Sequence, residues 1–356
     1  MSIDEKRAEE QRRAAGRRAA LHIAEVAALA GVSIATVSRA LTNPERVNAA
    51  TRAHVLDVVR RTGYTPNVAG RSLRRARSMM VLVVVPSFIT PFFSELLLGV
   101  DQALSAHGYG LLVGNLHDKE TKEARLLDLV LAGQADGVLL LNGHVLRTDT
   151  RSLADTTVPV VAVSVPTAMP GVPAVLVQDR EGGAAVARHL LDLGHRRFGY
   201  VSGPEGHYIE AERWAGFSDA LGAAGVPAAA IRRYRGDFHV RSGVEAAGWF
   251  LGEADRPTAV FAASDMMAIG FMRAVHAGGL AVPHDVSVVG FDGIEFADYC
   301  QPPLATVRQP REAMGRQAAE LLVRLLRGEP IPAGERLLRL EAPLRPAAST
   351  APPATG

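Results

Sequence analysis

Seven residues stand just beyond short apolar runs, where a side chain could meet a ligand. Phe92 and Phe93 follow VLVVVPS, Arg213 lies in ERWAGF after FGYVSG, and Phe238 ends GDF. Ser264 and Asp265 follow AVFAAS, and Asp292 lies in VSVVGFD. Ligands of open α/β sheets bind beyond the carboxyl ends of the strands, so these positions are the ones to examine. The aromatic faces could stack on a flat or sugar-like ligand, although Phe93 could equally be core. Each polar residue alone could serve a turn or cap a helix; together they lie at the strand ends of one expected cleft.

The chemistry they offer is binding rather than turnover. The only lysines are Lys6, Lys119 and Lys122, none in a glycine-rich loop before Ser or Thr, so no phosphate loop of the usual kind can form. Neither HExxH nor GxSxG occurs. Eleven histidines are scattered without ligand spacing, and His189 and His195 fall near a helix end, where a partly exposed capping role is expected. The single cysteine, Cys300, excludes an internal disulfide and a paired-cysteine zinc site. No cofactor and no metal are expected, and a reducing cytoplasm is the natural setting. Residues 1–20 contain no apolar run long enough for a signal peptide.

A second group of residues is suited to reading nucleic acid. Residues 22–48, HIAEVAALAGVSIATVSRALTNPERVN, read as two short helices joined by a tight turn. Ile23, Val26, Ala27 and Ala30 form one apolar stripe. Gly31 ends that helix, because glycine takes the left-handed conformation cheaply. Ser33 follows as an N-cap for a second helix starting near Ile34. There Val37 and Leu41 face inward while Ile34, Ala35, Ser38 and Arg39 lie outward, where a recognition helix meets base edges. Asn43-Pro44 breaks the second helix. Asn48 can cap a third, with Val55, Val58 and Val59 inward and Gly63-Tyr64 at its end.

Charge divides in the same place. Residues 1–80 carry 15 Lys or Arg against 7 Asp or Glu, and the remainder 24 against 30. A basic head on an acidic body suits phosphate contact at one end only.

The run AEVAALAGVSIATVSRAL, then NPERV, then GYTPN and RSL, resembles the head of the LacI/GalR family of bacterial transcription regulators. The resemblance covers residues 22 to about 345. It implies a DNA-facing set of Ser33, Ile34, Ala35, Thr36, Ser38, Arg39 and Arg46. It also implies a hinge helix within TPNVAGRSLRRARS, capped or anchored by Asn67, whose Leu73 wedges into the minor groove and bends the duplex. Gly70 departs from the alanine common there and weakens the helix by about 1 kcal/mol. Arg213 matches the arginine that holds effector oxygens through its planar fork, Phe238 an aromatic that stacks on the effector, and Asp292 a carboxylate that accepts ligand hydroxyls. Ser264 stands where many relatives have asparagine, and Gly293 where they often have aspartate.

From Met79 onward, β-branched runs alternate with amphipathic stretches, which argues for parallel sheets covered on both faces. The expected fold class is α/β: a three-helix helix-turn-helix head and hinge helix, then a two-lobed body resembling periplasmic binding proteins. The expected domains are a charged extension at 1–21, the head at 22–65, the hinge at 66–78 and an effector-binding, dimerising body at 79–345. Within it, lobe 1 covers about 79–179 and 308–338, and lobe 2 about 180–307 and 339–345. Residues 346–356, rich in proline and alanine and without a leucine heptad, are expected to be a disordered tail.

The expected function is a repressor that binds a pseudo-palindromic operator as a homodimer. A small effector would control it, a sugar or sugar derivative first and a nucleoside second, with no membrane partner. An activator or global regulator assisted by a protein partner is the alternative. A sugar-binding protein or a sugar-modifying enzyme is more remote.

Overall fold

The computed structural model describes residues 21–64, 77–116 and 119–354. Asn67 and Leu73 lie outside the described residues, as does most of the N-terminal extension. The chain divides into two compact units, 1–76 and 77–356.

Three helices make up the first unit: α1 (Ile23–Leu29), α2 (Ile34–Thr42) and α3 (Ala49–Thr62). Their boundaries follow from local backbone chemistry. Glu25 reaches back to the His22 amide, 2.6 Å away, closing a capping box. Gly31 takes φ +62° after α1, and Ser33 Oγ then accepts the Thr36 amide at 3.1 Å to start α2. Asn48 caps α3 through the Ala50 amide at 2.9 Å, and Gly63 ends it at φ +65°. The axes of α1 and α2 differ by 101°, within the range of helix-turn-helix pairs. Val26, Val37 and Val55 are fully buried, and Ala27, Ala40, Val58 and Tyr64 complete the small core.

Two six-stranded sheets make up the second unit. The first takes the order β11-β5-β4-β3-β1-β2, all parallel, from β1 (Met80–Val85), β2 (Gly110–Asn115), β3 (Gly137–Leu140), β4 (Val160–Val163), β5 (Ala174–Val177) and β11 (Leu337–Leu340). Helices α4 (Phe92–Ala106), α5 (Lys119–Leu131) and α10 (Arg311–Leu326) accompany it. The second takes the order β12-β10-β9-β8-β6-β7, from β6 (Phe198–Val201), β7 (Ile231–Tyr234), β8 (Ala259–Ala262), β9 (Ser287–Asp292), β10 (Ala305–Arg308) and β12 (Leu344–Arg345). Only β12 runs antiparallel there. Helices α6 (Asp179–Asp192), α7 (Tyr208–Ala223), α8 (Val240–Gly252) and α9 (Asp265–Ala277) cover this lobe. The chain passes between lobes three times: after β5, after β10 and after β11. The central strands are buried along their length, which is why they read as unbroken apolar runs.

Residues 346–354 are not a disordered tail. Ser349 is fully buried, donates to the Val288 carbonyl at 2.6 Å and accepts the Ala305 amide at 2.8 Å. The Ala351 carbonyl accepts from His195 Nε2 at 2.9 Å and from Ser287 Oγ at 3.0 Å. The segment's prolines and alanines suggest disorder by composition alone, yet an extended strap needs few ladder amides and tolerates proline. His195 is correspondingly no exposed cap but a buried anchor, 1% accessible. Its Nε2 must carry the proton to reach a carbonyl, so Nδ1 accepts from Thr258 Oγ1 at 2.9 Å. Burial lowers its pKa and favours this neutral form. His189, half-buried, pairs with Thr350 Oγ1 at 3.0 Å.

Among the described residues no single helix is long and apolar enough to cross a membrane.

Candidate functional site

Between the lobes lies a cleft of about 260 Å³ at the carboxyl ends of both sheets. Its centre is Arg213, and the packing beneath explains why. A Cβ on Gly216 would collide with the Arg180 carbonyl and one on Gly183 with the Arg213 carbonyl, so α6 and α7 cross with their backbones touching. That crossing sets Asp179, the first residue of α6, beside Arg213. The guanidinium donates from Nε to Asp179 Oδ1 at 2.8 Å and from Nη1 to the Ala263 carbonyl at 2.5 Å. Nη2 stands 3.4 Å from Asp292 Oδ1, and the Phe291 ring lies 3.6 Å beneath. Arg213 is thus held from four sides before any ligand arrives.

Asp292 also accepts from Gln309 Nε2 at 2.8 Å. Burial pushes its carboxyl up to about 7, against the pull of Arg213 and with help from the charge of Asp265. Burial likewise raises Asp179. A ligand hydroxyl that donates to Asp292 needs the ionised form. Ligand affinity is therefore expected to rise with pH between about 5.5 and 7, by up to about tenfold per unit, then level off. Titration calorimetry across that range checks this; affinity that falls as pH rises would mean that the protonated acid binds.

Backbone strain gathers at the same place. Among the described residues four non-glycines have positive φ, and three of them line this cleft: Ser164 at +66°, Phe238 at +70° and Asp292 at +122°. Such conformations cost about 1–3 kcal/mol each and persist where the surroundings impose them, commonly at binding sites. Ser164 is also buried with its hydroxyl unpartnered, a donor and acceptor available to a ligand.

Five of the seven residues expected from the sequence meet here: Phe92, Phe93, Arg213, Phe238 and Asp292. Phe92 and Phe93 pack edge to face at 5.2 Å on the first lobe's side. Across from them Phe238 meets His207 in the same manner at 5.3 Å. Ser264 and Asp265 do not reach the cleft. Ser264 caps α9 through the Met267 amide and donates to the Phe238 carbonyl at 3.3 Å, which holds the aromatic in place from behind. Asp265 is fully buried, with its oxygens occupied by Thr306 Oγ1 at 2.5 Å and the Ile294 amide at 2.9 Å. Both are supports, as polar residues at a strand-to-helix junction commonly are.

The residues missed were Asp179, Asn142, Ser164, His207 and Gln309. Ser164, inside VVAVSV, carried a signal as the one polar residue of an apolar run. Asp179 and Gln309 stand just past β5 and β10, where the chain crosses between lobes. A larger hollow of about 580 Å³ is lined by the loop after β6, the first turns of α7 and the end of β7. Its buried Glu210 is already taken by Tyr200, Arg233 and the Gly203 amide, so the interlobe cleft is the better site. Among the described residues no group of His, Cys, Asp or Glu is placed to hold a metal ion.

On the first unit α2 turns one face outward. Ile34 is 47% accessible, and Ser33, Ala35 and Arg39 are exposed, while Thr36 and Ser38 are partly covered. Arg46 is exposed on the short 3-10 turn that follows, Pro44–Arg46. A helix presenting small side chains in its first turn and an arginine in its last has the shape and chemistry to enter a major groove.

Comparison with known proteins agrees with both halves. Residues 22–67 match the profile of bacterial regulatory proteins, lacI family, and residues 187–349 that of a periplasmic binding protein-like domain. The chain is 36% identical to the HTH-type transcriptional repressor CytR of Escherichia coli (strain K12) over 321 residues, covering 90% of this chain and 94% of that protein. A complex of the transcriptional regulator CelR with cellobiose is similar at a TM-score of 0.69 and 35% identity, over 92% of this chain and 99% of that one. The lac repressor dimer bound to operator and the anti-inducer ONPF is similar at a TM-score of 0.80 and 26% identity, over 93% and 99%.

Proposed function

This chain belongs to the LacI family of bacterial regulatory proteins, and on that premise we propose a repressor whose hold on operator DNA is set by a small ligand in the interlobe cleft. The observation that carries the ligand half is the convergence of three strained residues and the Asp179–Arg213–Asp292 array on one cavity. The pairs of aromatic faces on opposite walls suit a sugar or sugar derivative, whose C–H faces stack while its hydroxyls meet Asp292, Arg213 and Ser164. The likeness to a regulator seen with cellobiose supports that class. A nucleoside is the second class, because the same aromatic walls accept a base.

The DNA half rests on Ser33, Ile34, Ala35, Thr36, Ser38, Arg39 and Arg46 at the major groove, with Asn67 and Leu73 of the hinge at the minor groove. Two copies read two half-sites related by a two-fold axis. Support for a homodimer comes from an apolar area on the second unit. Phe88, Ile89, Phe296 and Tyr299 are 59%, 65%, 56% and 78% accessible, and all but Tyr299 line a hollow of about 470 Å³ that continues to Glu95 and Leu97. Large apolar side chains clustered on a surface mark an interface. The chain acts by binding rather than catalysis, as its regulator relatives do, and it works in the cytoplasm where its DNA is.

The test is binding of the full chain to genomic fragments around its own gene at fixed salt, with and without a panel of sugars and nucleosides. A palindromic footprint altered by one compound is the expected result; a footprint that no compound alters would overturn the ligand half. In the same assay Asp292→Ala is expected to remove the compound's effect while the footprint persists. A variant that still responds would place the decisive carboxylate elsewhere.

A further inference from the structure

Arg311 is the first residue of α10, a position where the helix dipole favours a negative group and opposes a cation. It is nevertheless buried, with its side chain 2% accessible. Its Nη1 donates to the carbonyl of Asp292, and its Nη2 to the carbonyl of Gly293 at 2.9 Å and to Glu95 Oε1 at 2.7 Å. The two carbonyls belong to the second lobe, at the end of β9. Glu95 belongs to the first, in the opening turn of α4. One guanidinium therefore spans the lobes, while its Nε is left buried and unpartnered. Helix stability explains neither the charge nor the unmatched donor.

The first lobe fixes one end of this link firmly. A Cβ on Gly99 would collide with the Glu312 carbonyl, and one on Gly315 with the Leu96 carbonyl, so α4 and α10 cross in backbone contact. Glu95 and Arg311 each lie one turn before those glycines, and the crossing sets them opposite each other. The other end is the peptide that joins Asp292, strained at φ +122°, to Gly293, and the Asp292 side chain lines the cleft. Beyond Glu95 lies the apolar hollow with Phe88 and Phe296.

We infer that Arg311 is a positioning residue that carries the state of the cleft from the Asp292–Gly293 peptide to the start of α4, with Glu95 as its outlet at the proposed dimer face. The inference rests on the cleft being the effector site. A ligand that draws on the Asp292 carboxylate tilts the peptide behind it. A planar fork bonded to two carbonyls and a carboxylate cannot follow one partner without loosening from another. Two discrete arrangements of the link then correspond to two positions of the α4 opening turn.

Hydrogen exchange of residues 92–98 in the full chain reads that outlet, and Asp292→Asn perturbs the cleft without any ligand. With Arg311 present, Asp292→Asn is expected to change exchange in this segment at least about fivefold. Combined with Arg311→Gln or with Glu95→Gln, the same substitution should change it less than about twofold, the signature of coupled sites in a double-mutant cycle. Glu95 is half-exposed, so Glu95→Gln decides the matter if Arg311→Gln fails to fold. A merely structural arginine would raise exchange generally and leave the response to Asp292→Asn intact. An equal response in all backgrounds, or none with Arg311 present, overturns the inference. Calorimetry with cellobiose and D-ribose tests the sugar reading separately: absence of binding counts against that reading and leaves the exchange result standing.

Discussion

Arg213→Leu is expected to destabilise the second unit by about 3–5 kcal/mol, since removing one member of a buried charged array strands the others. Asp179 and Asp292 would both lose their main cationic partner in a site that already penalises their charge. The sign with pH is a further check. Both carboxyls have pKa values raised by burial in the folded state, so the folded form holds their protons longer than the unfolded form does, and stability falls as pH rises through that window. Without Arg213 those pKa values rise further, so the loss should be smaller at pH 5.5 than at pH 8. Urea unfolding of both proteins at the two values measures it. A loss independent of pH would mean that lost packing over Phe291, not stranded charge, is the cost.

Arg39→Ala should act on the first unit and leave stability nearly unchanged. Arg39 is exposed, with no ion pair among the described residues, so no internal contact is removed. An arginine reading guanine contributes about 1–3 kcal/mol of discrimination, roughly 5- to 150-fold in relative affinity. Anisotropy titrations at fixed salt, on the operator and on a scrambled duplex, separate the two roles. A selective loss on the operator is expected; equal losses on both would assign Arg39 to phosphate.

Much of this was legible because particular residues carry local physical instructions. Gly31, Ser33, Asn48 and Gly63 mark helix ends through backbone and capping chemistry that needs no tertiary context. β1, β3, β4, β6, β8 and β9 announce themselves as apolar runs because both of their faces are covered. β7, β11 and β12 do not: they are edge strands, and sequences such as IRRY and LLRL carry arginines that the edge leaves exposed. The cleft was half legible for a related reason. Phe238 and Asp292 stand at or just past the ends of β7 and β9 and Arg213 on the helix after β6, whereas Asp179 and Gln309 stand where the chain crosses between lobes after β5 and β10, a crossing that periodicity does not encode. Ser264 and Asp265 misled because capping a helix and binding a ligand call for the same residue types at the same junction. Composition misled at 346–354, where proline signals missing amides and says nothing about the two serine and histidine anchors that hold the strap.

The three passages of the chain between lobes bear on the order in which the protein is made. The three helices of the head are complete once residue 64 has been synthesised. Neither sheet of the second unit is complete until β11 and β12 are in place, at residues 337–345, and the Ser349 strap comes later still. During synthesis the DNA-reading helices therefore exist long before the apparatus that controls them. A message truncated in its last tenth would still encode the whole head, joined to two sheets that each lack an edge.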